Sequence, residues 1–288
     1  MRVSGSSTDH VPAFACSKDA SQTCLQTSEV DRNKTHAGDE IHATSDKTFD
    51  ENASNYYDEL EQGLRLSGES ADYFARVRVD VTKRIVTSLT NDEAVMGPPS
   101  RTDGAVNSWD RILDYGCGIG TAARFLATAF PGIEILGSDI ADSAIRRAAA
   151  THPDPPFRWT VGMSSIESQS VDLAYCNGVF HHIQPELRNG CVADVFETLR
   201  SGGLFFLWEN NPWNPGTQIV MRRIPFDRDA ICLPITETRD RLELAGFKVI
   251  RAETYFYFPR SFSAFRPIER LLRFIPFGAQ YVVVGQKA

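Results

Sequence analysis

Arg111–Gly120, RILDYGCGIG, is the stretch that decides the fold. Ile112 and Leu113 close a short apolar run, Asp114 stands where a buried strand would end, and Gly116, Gly118 and Gly120 make a tight turn. Thr121–Phe130 then carries Ala and Leu at helical spacing, so the order is strand, glycine turn, helix. Glycine lets backbone approach a ligand where a β-carbon would collide. A dinucleotide fingerprint would read G-x-G-x-x-G, with pyrophosphate on the helix N-terminus. Here the spacing is G-x-G-x-G, Thr121 takes the place of the third glycine, and Asp114 would repel a pyrophosphate. A carboxylate at that point suits a cationic, phosphate-free ligand.

Outward from the turn, IEILGSDI (Ile133–Ile140) ends a second strand at Asp139, roughly 20 residues on, where an acid can accept both hydroxyls of a ribose. Glycine turn, carboxylate before it and ribose acid after it together resemble class I S-adenosylmethionine-dependent methyltransferases (EC 2.1.1.-). The resemblance implies S-adenosyl-L-methionine as cofactor and S-adenosyl-L-homocysteine as product. It also implies a seven-stranded, Rossmann-like, doubly wound α/β sheet with its last strand antiparallel. Cofactor contacts are then expected at Asp114, Gly116, Cys117, Gly118, Gly120, Asp139 and Ile140.

The remaining chain fits that alternation. Strands are expected at Pro155–Gly162, Val171–Cys176, Gly202–Glu209, Phe247–Phe258 and Gln280–Gln286, with helices over Asp142–Ala150, Glu186–Leu199 and Thr236–Ala245. Ligands in such sheets lie outside the carboxyl ends of the strands. Met163 follows the third strand where the family often has an acid for the adenine amino group, which implies backbone and apolar contact with adenine here. Asn177 falls where family members contact the methionine portion.

Next comes GVFHHI. Imidazole is a natural general base near neutral pH, so His181 and His182 are candidate catalytic groups; packing or capping of the following helix is the other reading. Some quinone-pathway O-methyltransferases carry acidic residues in this loop. This chain has Gly178 and His181 at those places, so no divalent metal is expected. WENNPWNPGT (Trp208–Thr217) resembles the loop of a bacterial methyltransferase subgroup with E-x-N-P-x-N-P-x-T followed by P-F-D, here IPFD. Glu209 is the third catalytic candidate, and Asn210, Asn211 and Trp213 are candidate acceptor contacts. A structural turn built from the same Pro and Asn is the alternative.

Three regions divide the chain of 288 residues. Residues 1–46 are polar without periodicity and read as a disordered tail. Residues 47–107 read as a helical cap and connection, with Tyr73, Val77, Val81, Ile85 and Leu89 as one helical stripe. Residues 108–288 form the cofactor-binding domain. In the cap, Tyr57 is a candidate cofactor contact, and Tyr56 and Arg65 are candidate acceptor contacts; packing within the helix is the alternative for both tyrosines.

Net charge is −7, with no basic stripe, which disfavours nucleic acid. The six cysteines include no C-x-x-C pair, so a reduced, cytoplasmic protein without disulfides or zinc is expected. Residues 260–277 mix Phe, Ile and Leu with four arginines. They read as a cover helix or oligomer contact, or as a basic amphipathic helix touching a membrane surface or a lipid-like acceptor. A homodimer is one option for the assembly.

The expected function is methyl transfer to an O, N or C nucleophile of a small-molecule metabolite or natural product. A non-catalytic cofactor-binding regulator is the rival from another class. A NAD-dependent oxidoreductase is disfavoured by Thr121 and Asp114.

Overall fold

The computed structural model describes residues 60, 62–65, 67–90, 109–228 and 230–288. The expected tail, Tyr56, Tyr57 and most of the connection before residue 109 lie outside the described residues.

Seven strands form one sheet: β1 (Arg111–Tyr115), β2 (Glu134–Asp139), β3 (Phe157–Val161), β4 (Val171–Asn177), β5 (Leu199–Asn210), β6 (Phe247–Tyr255) and β7 (Gln280–Lys287). Their spatial order is β3-β2-β1-β4-β5-β7-β6. β1 to β5 pair in parallel, and β7 inserts antiparallel between β5 and β6. The fold is the mixed α/β sheet with an antiparallel last strand that the family resemblance implies.

Alternation along each central strand builds two cores. Leu113, Ala174, Phe205, Leu207 and Val283 face one side, packed with Cys191, Val192 and Val195. Ile112, Leu173, Tyr175, Phe206, Trp208 and Val282 face the other. The first side is covered by α4 (Arg188–Thr198) and α6 (Ile235–Leu244), the second by α1 (Ala71–Thr90) and α2 (Ala123–Ala129). Both faces of β1 are therefore dry, which is why its interior is a continuous apolar run. α3 (Asp142–Thr151) packs beside β2 and β3, and α5 (Pro215–Arg223) follows β5.

α1 is rotated from the stripe expected of it. Val81, Ile85 and Leu89 are buried, but Tyr73 and Val77 are only partly so, and Ala71, Ala75, Val79, Thr82 and Val86 fill the face. The turn to the Trp208 side explains this. Trp208 Nε1 donates to Thr82 Oγ1 at 3.3 Å, so the buried indole N–H has its partner on the helix.

Candidate functional site

β1 stops at Tyr115 because the next residues cannot stay extended. Gly116 has φ +68, and a β-carbon there would lie 2.3 Å from Val179 Cγ2. The turn is stitched to β2: Gly116 N and Cys117 N both donate to Ser138 O, at 2.8 and 3.0 Å. Gly118 N donates to Asp139 Oδ2 at 2.8 Å, while Asp139 Oδ1 accepts from Ala141 N at 2.9 Å. Asp139 thus ties the glycine turn to the start of α3.

Beside the turn lies a cavity of about 420 Å³, a size ordinary for small-ligand sites. Asp114, Gly116, Cys117, Gly118 and Asn177 line it, as do His181, His182 and Asn210. Asp114 is 2% exposed, and its Oδ2 is buried without a hydrogen-bond partner. Burial, and then the charge of Asp139, push the Asp114 carboxyl up to about 7. An orphaned carboxylate oxygen in a ligand-sized cavity is what a cationic group would satisfy. Burial pushes the Cys117 thiol well up, so it is a small side chain packed in the turn and not a reactive thiolate.

Arg78 was not singled out by the sequence reading. It is 8% exposed, lines the cavity, donates from Nη1 to Gln280 Oε1 at 2.8 Å, and keeps Nε without a partner. Its signal was available as an arginine inside the apolar face of α1. Asp227 was also unassigned, although it closes the IPFD motif.

His181, expected as a candidate general base, is enclosed by carboxylates. The short 3₁₀ turn Phe180–His182 places its ring 3% exposed, with Nδ1 2.7 Å from Glu209 Oε2 and Nε2 3.5 Å from Asp227 Oδ1. Burial alone would lower its pKa; the Glu209 and Asp227 carboxylates outweigh that and raise it to about 10. The two carboxylates thus favour its protonated form near pH 7. His182 differs. Burial and the His181 charge lower its pKa, so it stays neutral, with Nε2 3.3 Å from Asp227 Oδ1. Asp227 itself is held down at about 2: burial acts to raise it, and the two imidazoles prevail.

Glu209, the third catalytic candidate, lies behind the histidine loop. It is 1% exposed and does not line the cavity; its Oε1 accepts from Val179 N and Phe180 N at 3.1 and 2.7 Å. It is a positioning group that clamps the histidine loop. His181, His182 and Asp227 bring three potential metal-ligand atoms within 4.8 Å of one another, but a divalent ion would have to displace the His181 proton.

Three acceptor candidates fall away from the cavity. Asn211 is buried as a turn-former: Nδ2 donates to Pro276 O at 3.0 Å and Gly278 O at 2.8 Å, and Oδ1 accepts from Trp213 N at 3.1 Å. Trp213 is 44% exposed, Arg65 is exposed, and neither lines the cavity. Among the cofactor candidates, Gly120, Asp139, Ile140 and Met163 lie outside the cavity wall. Met163 is a core residue, its Sδ 3.6 Å from Ser138 Oγ.

Residues 113–205 match the family described as Methyltransferase domain. Over these residues, about a third of its length, the chain is similar to class I S-adenosylmethionine-dependent methyltransferases. Trans-aconitate 2-methyltransferase of Variovorax paradoxus is 24% identical over 115 residues, covering 40% of this chain and 44% of that protein. Carboxy-S-adenosyl-L-methionine synthase of Aeromonas hydrophila is 26% identical over 139 residues, covering 45% of this chain and 54% of that protein. The chain spans about half the length of the curated relatives it matches. A methyltransferase structure from Archaeoglobus fulgidus shares the fold, with TM-score 0.53 and 16% identity over 76% of this chain and 95% of that one. S-adenosylmethionine is the cofactor of this family, and the domain's Asp114 and glycine turn fit its ammonium and its backbone-hugging body.

Proposed function

We propose that the protein transfers the methyl group of S-adenosylmethionine to an O, N or C nucleophile of a small-molecule acceptor. The observation that carries this is the pairing of opposite charges in one buried cavity. The amino-acid end of the cofactor is a zwitterion, and the cavity offers Asp114 for its ammonium and Arg78 for its carboxylate. Both groups keep an unpartnered polar atom, so each has capacity left for a ligand. The cofactor supplies an electrophilic methyl. The chain's own residues hold the acceptor in line with it and exclude water, which is where most of the acceleration arises.

Tyr73, Asn210, Asn214, Phe226, Tyr257 and His182 also line the cavity, and we assign them to the acceptor. His182 is the neutral imidazole of the pair, so we assign it, and not His181, to the acceptor proton. Helix α1, with Leu60, Leu64, Ser67 and Glu69 before it, acts as a cap over the cavity. We place the reaction in the cytoplasm, within small-molecule biosynthesis.

The test is calorimetric titration with S-adenosylhomocysteine, for which micromolar affinity, about −8 kcal/mol, is expected. Asp114→Asn should weaken binding by about 10-fold or more through loss of the charge-assisted contact. No binding to the wild-type protein would remove the cofactor assignment. Binding without methyl transfer to any fraction of a cell extract would favour the regulatory reading.

A further inference from the structure

Residues 260–277 do not form the cover helix expected of them. The segment runs as 3₁₀ turns over Arg260–Ile268 and a short helix over Glu269–Leu272, kinked at Phe262, with Pro267 inside. No residue between Arg260 and Leu272 is buried. Phe262, Phe265 and Ile268 are 54, 50 and 45% exposed, Leu271 and Phe274 are 79 and 69%, and Ile275 and Phe277 are 43 and 58%. These are seven of the eleven large exposed apolar side chains among the described residues, gathered in one short segment. Two more adjoin it: Trp213, 44% exposed, sits in the loop that Asn211 and Asn214 bond to the carbonyls of residues 276–278, and Ile219 lies on the helix that follows.

The backbone of the segment is nevertheless firmly held, by polar contacts. Thr254 N donates to Arg273 O at 2.8 Å, Tyr257 Oη to Leu272 O at 2.6 Å, and Tyr257 N and Phe258 N both donate to Glu269 Oε1 at 3.0 Å. Anchoring is thus done by hydrogen bonds while the apolar side chains point outward. An apolar patch of this extent marks an interaction surface. Its charge selects the occupant. Arg260 and Arg270 are exposed beside the patch, on a chain of net charge −7, while Arg266 and Arg273 are paired with Glu69 and Glu253 at 2.8 and 3.6 Å, and Glu269 is the one acid within the segment. A second copy apposed about a two-fold axis would set these arginines against one another.

We propose that residues 260–277 seat the protein on an anionic lipid bilayer, apolar side chains in the acyl boundary and arginines among the headgroups. The patch also rims the cavity, because Ile219, Tyr257, Phe258, Pro259 and Arg266 belong to its wall. An acceptor drawn from the bilayer would enter without crossing bulk water. On the methyl-transfer reading above, that acceptor is an amphiphile whose polar head receives the methyl group.

The test uses the full chain and vesicles of phosphatidylcholine, with and without about one-third phosphatidylglycerol. Sedimentation should show at least ~10-fold stronger partition to the anionic vesicles, falling several-fold when salt rises from about 0.1 to 0.5 M. Leu271→Ser with Phe274→Ser should cut partition by ~10-fold while leaving S-adenosylhomocysteine affinity unchanged, since neither residue lines the cavity. Lipids labelled with a quencher near the headgroup should quench fluorescence in the wild type and much less in Trp213→Phe. Absence of vesicle binding, equal binding of the double variant, or a concentration-dependent dimer abolished by that variant would each overturn the bilayer assignment. Tritiated methyl from S-adenosylmethionine, supplied with vesicles of total membrane lipid, should enter the organic phase, and the double variant should reduce this. Label appearing equally in water-soluble products of both proteins would overturn the amphiphilic acceptor. No label in any phase, with vesicle binding intact, would instead count against methyl transfer.

Discussion

At the residue scale, adjacent histidines with the same chemistry are driven apart by their neighbours. His181 lies between two carboxylates and is held as a cation with a pKa of about 10. His182 has its pKa lowered, by burial first and then by the His181 charge. Different failures follow. His182→Gln should reduce turnover by about 10²-fold or more with S-adenosylhomocysteine affinity kept within twofold. His181→Gln leaves Glu209 and Asp227 facing an uncharged amide in place of the imidazolium. It should cost about 3–5 kcal/mol of stability, read as a lowered denaturation midpoint, because a buried pair has been broken from one side. The opposite ranking, with His181→Gln stable and inactive, would reverse the assignment.

At the element scale, the loop after β5 owes its shape to side chains that replace missing backbone partners. Asn211 satisfies the carbonyls of Pro276 and Gly278, and Asn214 caps α5 by accepting from Thr217 N at 2.9 Å. Pro215 stands in the first turn of that helix, where its missing N–H costs nothing. Asn211→Ala should therefore lower stability by about 1–3 kcal/mol by stranding two carbonyls. On the acceptor assignment proposed above, it should raise KM for the acceptor more than for the cofactor. Equal changes in both KM values in a kinetic assay would argue against this division of the cavity.

At the scale of the whole molecule, the site is bought with stability, and pH reveals the exchange. Asp114 has its pKa raised to about 7, above its unfolded value, so the ligand-free protein binds more protons than the unfolded chain between about pH 4 and 7. Its contribution to stability is then lost as pH rises through that window. A cationic ligand requires the ionised form, so S-adenosylhomocysteine affinity should fall, by up to about tenfold per unit, as pH drops below 7. Asp114→Asn should raise the thermal midpoint of the ligand-free protein at pH 7.5 while weakening the ligand. A lowered midpoint would show that the carboxylate is already compensated. His181 acts in the opposite sense: its stabilisation is complete below about pH 6.5 and is lost as pH rises through 10. Asp227 holds its contribution above about pH 4 and loses it as pH falls through 2.

Strand order along the chain, the glycine turn and the carboxylate before it were legible in the sequence because each is a local pattern. Two-residue alternation, helical spacing and a position that only glycine tolerates leave their mark within a few neighbours, as at Ile112–Gly118. Ranking the two histidines was not legible. Glu209 lies 28 residues from His181, and Asp227 lies farther along on another element, so the field that separates them exists only once β5 and the IPFD turn converge. Arg78 is a similar case, since an arginine on a buried face becomes a cavity cation only when α1 packs beside Asp114 and Gln280. For residues 260–277 the composition announced an amphipathic segment, but not which side it would show. That was decided by the polar anchors from Thr254, Tyr257 and Glu269, which satisfy the backbone without burying a single side chain between Arg260 and Leu272.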